Sequence, residues 1–409
     1  MAERTIISLF TGAGGLDHGF EAAGFKTRVA VEMDSDAVAS LRAHRPWSVI
    51  DEDIHQVDSE RLLRTAGLRP GDADVLIGGP PCQPFSKAGY WASGDSQRLD
   101  DPRAATLEAY FRVLEDTRPA AFLLENVPGL AFRSKSEGLD FIRRRLKRVA
   151  RRSGCRYSMA VAKLNAADFG VPQRRERVFV VGHRDGRDFK FPEPTHGDPR
   201  QASGGAEDLL PWTTAWDALG DLPSEPDPTL RMLGKWAELL PSIPEGKNYL
   251  HHTERGDGLP LFGWRRRYWS FLLKLAKDRP SWTLQAQPGP AVGPFHWQNR
   301  RLSARELARL QTFPDDFRLL GNVRAAQKQA GNAVPSALAE ALARRMRACF
   351  FDDPEAEDGP LSLIPTPRRP VPPAETAEPV AARYLSLVGK HEAHPGTGQG
   401  YGARRRRPV

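Results

Sequence analysis

The feature that most limits the folds open to this chain is a glycine-rich turn between a short apolar segment and an amphipathic one. Residues 6–10 predict a buried strand, and the helical spacing of Leu16, Phe20 and Ala23 predicts a helix after the turn. Residues 11–15, between them, include glycines that let the backbone approach a ligand closely. This order of strand, turn and helix predicts the nucleotide-binding unit of a Rossmann-like α/β fold.

An acidic residue at a suitable distance supports a ligand at this turn. A second predicted strand, residues 28–31, ends in Glu32, which lies twenty residues after Gly12. This is the spacing of a carboxylate that binds ribose hydroxyls. A dinucleotide site would place glycine at position 17, beneath a pyrophosphate, but Asp17 stands there and would repel it. The pattern therefore favours a cofactor without phosphate, of which S-adenosylmethionine is the common one, over NAD.

A second segment contains a candidate nucleophile. Residues 73–77 predict a buried strand, and the sequence Gly-Gly-Pro-Pro-Cys-Gln-Pro-Phe-Ser at 78–86 ends it. Because proline fixes φ, the backbone around Cys82 has few alternative conformations. A cysteine held at a strand end is a candidate nucleophile, although a lone cysteine is also often a buried structural thiol. These residues alone leave both interpretations open.

Polar residues near two further predicted strands extend the candidate site. The strand at 121–124 ends in Glu125, which would lie at the same edge of the sheet as the Cys82 loop. Gln173, Arg175 and Arg177 alternate, and their side chains point to one side if the segment is extended. Taken alone, Glu125 would be a solvated loop acid and the arginines would point to solvent.

In their order along the chain, these segments resemble the motifs of the DNA cytosine-5 methyltransferases. The resemblance covers roughly residues 5–350. It includes the cofactor turn, the Pro-Cys loop, Glu-Asn-Val at 125–127, Gln-x-Arg-x-Arg at 173–177 and Gly-Asn at 331–332. One such motif alone can arise by chance, but the whole set in this order is specific for the family. The resemblance implies an α/β fold: a Rossmann-like S-adenosylmethionine-dependent methyltransferase domain with a smaller, irregular target-recognition domain.

The resemblance also implies a role for each matching residue. Cys82 would add to C6 of the target cytosine, and Glu125 would stabilise the ring at N3 and the exocyclic amine. Arg175 would hold O2 of the base, while Arg177 would support the site together with Gln173. The implied contacts of S-adenosylmethionine are Phe10, Gly12, Gly14, Gly15, Leu16, Glu32, Met33, Asp53, Ile54, Pro80, Asn332 and Val334.

Changes in composition divide the chain. Residues 1–183 and 327–350 are predicted to form the catalytic domain. Residues 184–298, rich in Pro, Gly and Trp, are predicted to form the target-recognition domain, joined by a connecting helical segment at 299–326. Residues 351–409 have few large apolar side chains, and we expect them to be disordered or loosely packed.

Candidate DNA contacts lie in both predicted domains. They are Ser86 in the Pro-Cys loop and the basic stretch of Arg265, Arg266 and Arg267, which has aromatic residues on both sides. For the basic stretch, a surface helix with its tryptophans in the core of the small domain is the alternative interpretation.

Composition limits the kinds of binding partner and the cellular compartments that this chain suits. The formal charge of +8 fits a polyanionic partner without naming one. The three cysteines argue against a disulfide scaffold, and no Cys/His cluster has zinc spacing, so no metal is expected. No apolar run is long enough to span a membrane, and no signal peptide precedes the first predicted strand. We therefore expect a cytoplasmic protein, acting as a monomer.

The resemblance makes a specific double-stranded DNA sequence the expected substrate. The compact layout, with one catalytic domain, suggests a restriction–modification role in which a cognate restriction endonuclease acts on the same site. An RNA (tRNA) cytosine-5 methyltransferase of the same architecture is the main alternative, and activity on duplex DNA versus tRNA separates the two. A binding protein with an inactive catalytic domain is disfavoured by the presence of Cys82, Glu125 and Arg175, and an NAD-dependent oxidoreductase by Asp17.

Overall fold

A seven-stranded mixed sheet forms the centre of the protein, in the order β3-β2-β1-β4-β5-β8-β6. The computed structural model describes residues 3–81, 105–127, 137–200, 209–223, 227–265 and 268–391. Parallel pairing joins β3, β2, β1, β4 and β5, while β8 runs antiparallel between β5 and β6. The strands up to β8 are β1 (Arg4–Leu9), β2 (Phe25–Val31), β3 (Ser48–Ile50), β4 (Val75–Gly78), β5 (Ala121–Asn126), β6 (Ala160–Asn165), β7 (Gln173–Arg174) and β8 (Glu176–His183).

The central strands are apolar because helices cover both faces of the sheet. In β1, for example, Ile6, Ile7 and Leu9 are fully buried. The strand order changes direction between β1 and β4, and ligands of open α/β sheets bind at the carboxyl ends of the strands beside such a point. The glycine-rich turn follows β1, and residues 79–81, the described start of the Pro-Cys loop, follow β4, so both lie at this point.

Two layers of helices enclose the sheet. Helices α3, α4 and α5 pack on one face, and α1 and α9 pack on the other. Helix α9, distant in sequence, thus covers the same face of the sheet as α1. The helices are α1 (Gly15–Ala22), α2 (Ser35–His44), α3 (Ser59–Ala66), α4 (Ala105–Thr117), α5 (Glu137–Ser153), α6 (Ala215–Leu219), α7 (Ala304–Leu310), α8 (Val323–Asn332) and α9 (Ser336–Phe350).

The contact between α1 and α9 requires two glycines. A Cβ at Gly15 would lie 2.2 Å from the Val334 carbonyl oxygen, and one at Gly19 would lie 2.3 Å from that of Ser336. Any side chain at either position would push the two helices apart.

Residues 184–298, called the recognition region below, have little regular structure. Among the described residues, its regular elements are α6, short 3₁₀ turns and three two-residue strands. These strands are β9 (His196–Gly197), β10 (Leu210–Pro211) and β11 (Ser281–Trp282). It has an apolar core of its own, which includes Leu239, Leu240 and Leu272. The connecting helix α7 begins with a reciprocal capping box formed by Ser303 and Glu306.

The expectation of a disordered or loosely packed tail is wrong for residues 351–391. This segment follows α9 along the catalytic domain and then packs against the recognition region. Backbone hydrogen bonds and charged contacts hold it, together with one aromatic anchor, Tyr384. Its low apolar content misled the prediction because most of these contacts use polar groups of the segment.

Candidate active site

The turn after β1 presents its backbone to open space. Gly12 has a φ of 56°, and a Cβ built on it would meet nothing within 4 Å. Phe10, just before it, also has a positive φ and is half-buried. Gly14, with a φ of 79°, is the residue that precedes α1. This turn therefore leaves room beside Gly12 for a ligand to contact the main chain.

Glu32 closes one side of this space, at the end of β2. Its carboxylate accepts hydrogen bonds from the backbone N–H groups of Gly12 (2.7 Å), Met33 (2.9 Å) and Asp34 (2.8 Å). Burial raises the pKa of Glu32, and these three hydrogen bonds oppose that rise. A carboxylate has about four acceptor positions, so Glu32 keeps capacity for a hydroxyl donor from a ligand.

Other predicted cofactor residues divide into two groups. Met33 is 66% exposed, Asp53 is half-buried beside buried Ile54, and Asn332 at the end of α8 is exposed. In contrast, Gly15, Leu16 and Val334 lie in the α1–α9 contact, and Pro80 is buried with its carbonyl oxygen 3.4 Å from Asn126 Nδ2. For both groups, contact with a ligand remains a prediction.

Asp17 does not face the ligand space. The expectation that its carboxylate would repel a pyrophosphate is therefore wrong. Its side chain is buried behind the turn, where it accepts hydrogen bonds from Ser8 Oγ (3.0 Å) and Thr27 Oγ1 (3.3 Å). Ser8 Oγ also lies 3.0 Å from Thr11 Oγ1. Burial raises the pKa of Asp17 to about 7. Asp17 thus supports the turn from beneath.

A buried ion pair lies at the end of β5. Glu125 is 8% exposed, and its Oε1 lies 2.8 Å from Nε of Arg177. A Cβ at Gly79 would be only 2.8 Å from Glu125 Oε2, so glycine there lets the start of the Pro-Cys loop pass close to the carboxylate. Burial raises the pKa of Glu125, and the charge of Arg177 is the largest influence that opposes the rise.

The two arginines, predicted to face one site, lie in different surroundings. Arg175, 1% exposed, donates hydrogen bonds to the carbonyl oxygens of Leu284 (3.2 Å) and Gly331 (2.7 Å). Both of its terminal nitrogens thus bind backbone carbonyl oxygens, one in the recognition region and one in α8, whereas Arg177 contacts Glu125. The cause lies in strand pairing: β7 pairs with β11, β8 pairs with β5 and β6, and Arg175 lies between the two strands.

Gln173 belongs to the same buried contact as Arg175. Its Nε2 donates to the Leu310 carbonyl oxygen (3.2 Å) and Gln311 Oε1 (3.1 Å), and its Oε1 accepts from Leu284 N (3.0 Å). Gln311, fully buried, also donates to the Ala330 carbonyl oxygen. The sequence analysis missed Gln311, because nothing in the pattern around it distinguishes a buried amide from an exposed one.

Comparison with known proteins decides the family. The model of a family described as C-5 cytosine-specific DNA methylase matches residues 4–348. The chain belongs to this family.

Relatives and a solved structure agree with this assignment. The chain is 42% identical to Type II methyltransferase M.SacI of Streptomyces achromogenes over 368 residues, which cover 84% of this chain and 93% of the relative. It is 35% identical to Type II methyltransferase M1.HphI of Haemophilus parahaemolyticus, covering 83% and 85%. Spodoptera frugiperda DNMT2 has a similar structure, with a TM-score of 0.57, 15% identity and coverage of 84% and 99%, and at this identity it shows the fold alone. The predicted family, enzyme class and α/β fold are confirmed.

The methyltransferase carries an exposed aromatic and basic surface in its recognition region. Trp269 is 48% exposed, and its ring centroid lies 5.4 Å from that of Trp282. Arg174 extends this contact, with its guanidinium over the rings of Trp282 (5.2 Å) and Trp212 (4.5 Å). Arg265 is exposed nearby in sequence and lies outside any helix, so the surface-helix alternative is wrong for the described part of this stretch.

Four predicted site residues lie outside the described residues: Cys82, Ser86, Arg266 and Arg267. Within the described ranges, the methyltransferase has no group of three or more His, Cys, Asp or Glu side chains able to hold a metal ion. None of the helices in that part of the chain is long and apolar enough to cross a membrane.

Proposed function

We propose that this enzyme transfers a methyl group from S-adenosylmethionine to C5 of a cytosine within a specific double-stranded DNA sequence, in a Type II restriction–modification system. The observation that carries the proposal is the buried Glu125–Arg177 pair, which lies at the sheet edge beside the start of the Pro-Cys loop. The names of the relatives, Type II methyltransferases, support the biological setting.

The residues around the glycine-rich turn fit S-adenosylmethionine, which supplies an electrophilic methyl group when bound. Gly12 faces open space, and Glu32 beside it keeps acceptor capacity for ribose hydroxyls. The exposed side chain of Met33 offers apolar surface that suits an adenine ring, and half-buried Asp53 is a candidate polar contact. The nearby carboxylates also suit the positive charge of this cofactor.

The chemistry requires a nucleophile because C5 of cytosine is too weak to take a methyl group directly. Addition of the Cys82 thiolate to C6 turns the ring into an enamine-like species that is nucleophilic at C5. After methyl transfer, loss of the C5 proton and elimination of Cys82 give 5-methylcytosine and restore the thiolate. A free cysteine has a pKa of about 8.5, so nearby cations that favour the thiolate would raise the rate.

Glu125 and Arg177 would stabilise the ring during this addition. Because burial raises the pKa of Glu125, its carboxyl group holds a proton more readily than an exposed one and can donate to N3. Arg177, already held by Glu125, would contact O2, and Arg175 would have a structural role; their different hydrogen-bond partners support this assignment. The target base must leave the duplex stack to reach these groups, at a cost of a few kcal/mol.

Sequence reading is assigned to the recognition region. Arginine pairs with guanine O6 and N7 in the major groove, and each such pair contributes about 1–3 kcal/mol of discrimination. Arg265 is exposed beside Tyr268 and Trp269, which suits a DNA contact. Contacts of Ser86, Arg266 and Arg267 with DNA remain predictions from the sequence alone. The monomeric state, the cytoplasmic location and the existence of a cognate endonuclease are also predictions.

The nucleophile provides the direct test of the proposal. Wild-type enzyme should form a covalent adduct with duplex DNA that contains 5-fluorocytosine, because fluorine blocks the final elimination. Cys82→Ser should abolish both the adduct and methyl transfer while leaving cofactor binding near normal. Cys155→Ser and Cys349→Ser, which change the two free cysteines of the described residues, are the matched controls and should remain active. An active Cys82→Ala enzyme, or methylation of tRNA in place of duplex DNA, would contradict the proposal.

A further inference from the structure

The chain continues past the family match in a segment that crosses between the two halves of the enzyme. The match ends at residue 348, yet residues 351–391 contact the catalytic domain first and the recognition region afterwards. Three anchors define this path, and each uses a buried charged or aromatic side chain.

The first anchor is on α9. Glu340 is fully buried and accepts hydrogen bonds from Ser362 N (2.8 Å), Ser362 Oγ (3.0 Å) and Leu363 N (3.1 Å). Arg344 completes the charge balance by pairing with the same carboxylate at 2.6 Å. Leu363 and Ile364 pack beside this anchor against the core of the first domain. A buried carboxylate with several donors fixes the chain at this point.

The second anchor is the start of α6 in the recognition region. Asp217, almost fully buried, accepts hydrogen bonds from Arg368 N (2.6 Å) and Arg369 Nη1 (2.9 Å). Its other oxygen belongs to the capping box with Thr214. The same carboxylate therefore caps the helix and binds the crossing segment.

The third anchor lies in the core of the recognition region. Lys277, 4% exposed, lies between the carboxylates of Glu245 (2.6 Å) and Glu375 (3.0 Å), and the Glu375 backbone N–H donates to Glu245 at 2.8 Å. Tyr384, 3% exposed, stacks on Trp236 with ring centroids 5.8 Å apart and donates to the Lys235 carbonyl oxygen at 2.7 Å. The crossing segment thus contributes a side chain to this core.

We propose that residues 366–389, called the strap, position the recognition region against the catalytic edge, with Tyr384 and Glu375 as positioning residues for DNA binding. Besides the strap, the buried contacts of Gln173 and Arg175 with Leu284 join the recognition region to the sheet. Further contacts join the same regions, such as the pairing of β11 with β7 and the hydrogen bond from Trp212 Nε1 to Asp168. The strap adds tethers at Asp217, Lys277 and Trp236 to these contacts. The inference rests on the proposed function, because positioning matters only if this region reads DNA.

Preorganisation of this kind acts on DNA binding and leaves the cofactor site unchanged. An enzyme truncated after Pro365 keeps the Glu340 anchor and loses the strap. We expect its KM for cognate duplex DNA to rise about tenfold and its preference over a duplex with one altered base pair to fall, as the two regions sample more orientations. Its affinity for S-adenosylmethionine, measured by calorimetry, should stay unchanged. Truncation after His391 is the matched control and should behave like the full chain.

Point variants test the same proposal if the truncated enzyme does not fold. Tyr384→Ala removes the stacked ring and should raise KM for DNA with little change in kcat. Tyr384→Phe keeps the ring and should restore KM, and Leu385→Ala, at a neighbouring residue that is 48% exposed, should have no effect. If KM for DNA and the preference for the cognate duplex are unchanged in both the truncated enzyme and Tyr384→Ala, the proposed role of the strap is wrong. Equal losses of cofactor and DNA affinity would also overturn it, since they indicate general destabilisation. A full-length enzyme that methylates no DNA would overturn the proposed function and the inference together.

Discussion

The arginine that pairs with Glu125 gives the sharpest prediction. Replacing Arg177 by methionine keeps most of the side-chain volume but removes the charge that lies 2.8 Å from the carboxylate. An adjacent arginine typically lowers the pKa of a carboxyl group by about 1–3 pH units. The pKa of Glu125 in the variant should therefore rise by about that amount above its already raised value. At 1.36 kcal/mol per unit, the change corresponds to about 1.5–4 kcal/mol at a pH where Glu125 would otherwise be ionised.

This magnitude fixes the pH dependence of stability. In the variant, Glu125 keeps a folded-state pKa above its unfolded value, and folding then favours the protonated form. The variant should be close to wild type at low pH and should lose stability progressively as pH rises through the new pKa. Denaturant unfolding at several pH values measures this slope. The activity should fall about 10²–10³-fold, the usual cost of losing one preorganised donor to a developing charge.

Arg175 provides the contrast. Its two hydrogen bonds from a charged group to buried carbonyl oxygens contribute about 1.5–3 kcal/mol each, so Arg175→Met should cost about 3–6 kcal/mol of stability. That loss is a large part of the total stability of a typical domain and should give poorly folded protein. The lysine variants Arg175→Lys and Arg177→Lys keep the charge and allow the two roles to be compared in folded protein. Arg175→Lys should mainly lower stability, and Arg177→Lys should mainly lower activity. If Arg175→Lys is stable but inactive while Arg177→Met is fully active, our assignment of the two arginines is refuted.

Three further predictions follow from buried groups. Glu32→Ala should weaken S-adenosylmethionine binding by about 1.5–3 kcal/mol, and unchanged affinity by calorimetry would place the cofactor elsewhere. Asp17, with its pKa raised to about 7, should make the folded state less stable as pH rises from about 4 to 7, by up to about 4 kcal/mol. Asp17→Asn should therefore gain stability relative to wild type across that window, and parallel pH profiles of unfolding would refute this. Gly19→Ala should lower stability by about 1–3 kcal/mol, because its Cβ would overlap the Ser336 carbonyl oxygen, and an unshifted melting temperature would contradict the α1–α9 contact.

Local pattern alone determined the framework of the catalytic domain. The strand before the turn, the turn with Gly12 and the acid at Glu32 follow from side-chain periodicity and from the backbone freedom of glycine, both properties of a few consecutive residues. The structure places these segments at the switch point of the sheet, where Glu32 accepts from Gly12 at 2.7 Å. The motif order was equally readable, because the resemblance depends on residue types and spacing.

Which neighbour each segment contacts was decided only by the tertiary structure. The alternation of Gln173, Arg175 and Arg177 predicts one shared face. Strand pairing changes at Arg175, however, and its guanidinium binds backbone carbonyl oxygens at the domain contact while Arg177 pairs with Glu125. Asp17 stands at a position that suggests a ligand, yet packing turns it beneath the turn. Residues 351–391 lack a core of their own, and carboxylates such as Glu340 and Asp217, on elements far away in sequence, hold them in place. Long-range partners have no signature in local periodicity, and this is the physical reason that the sequence left them open.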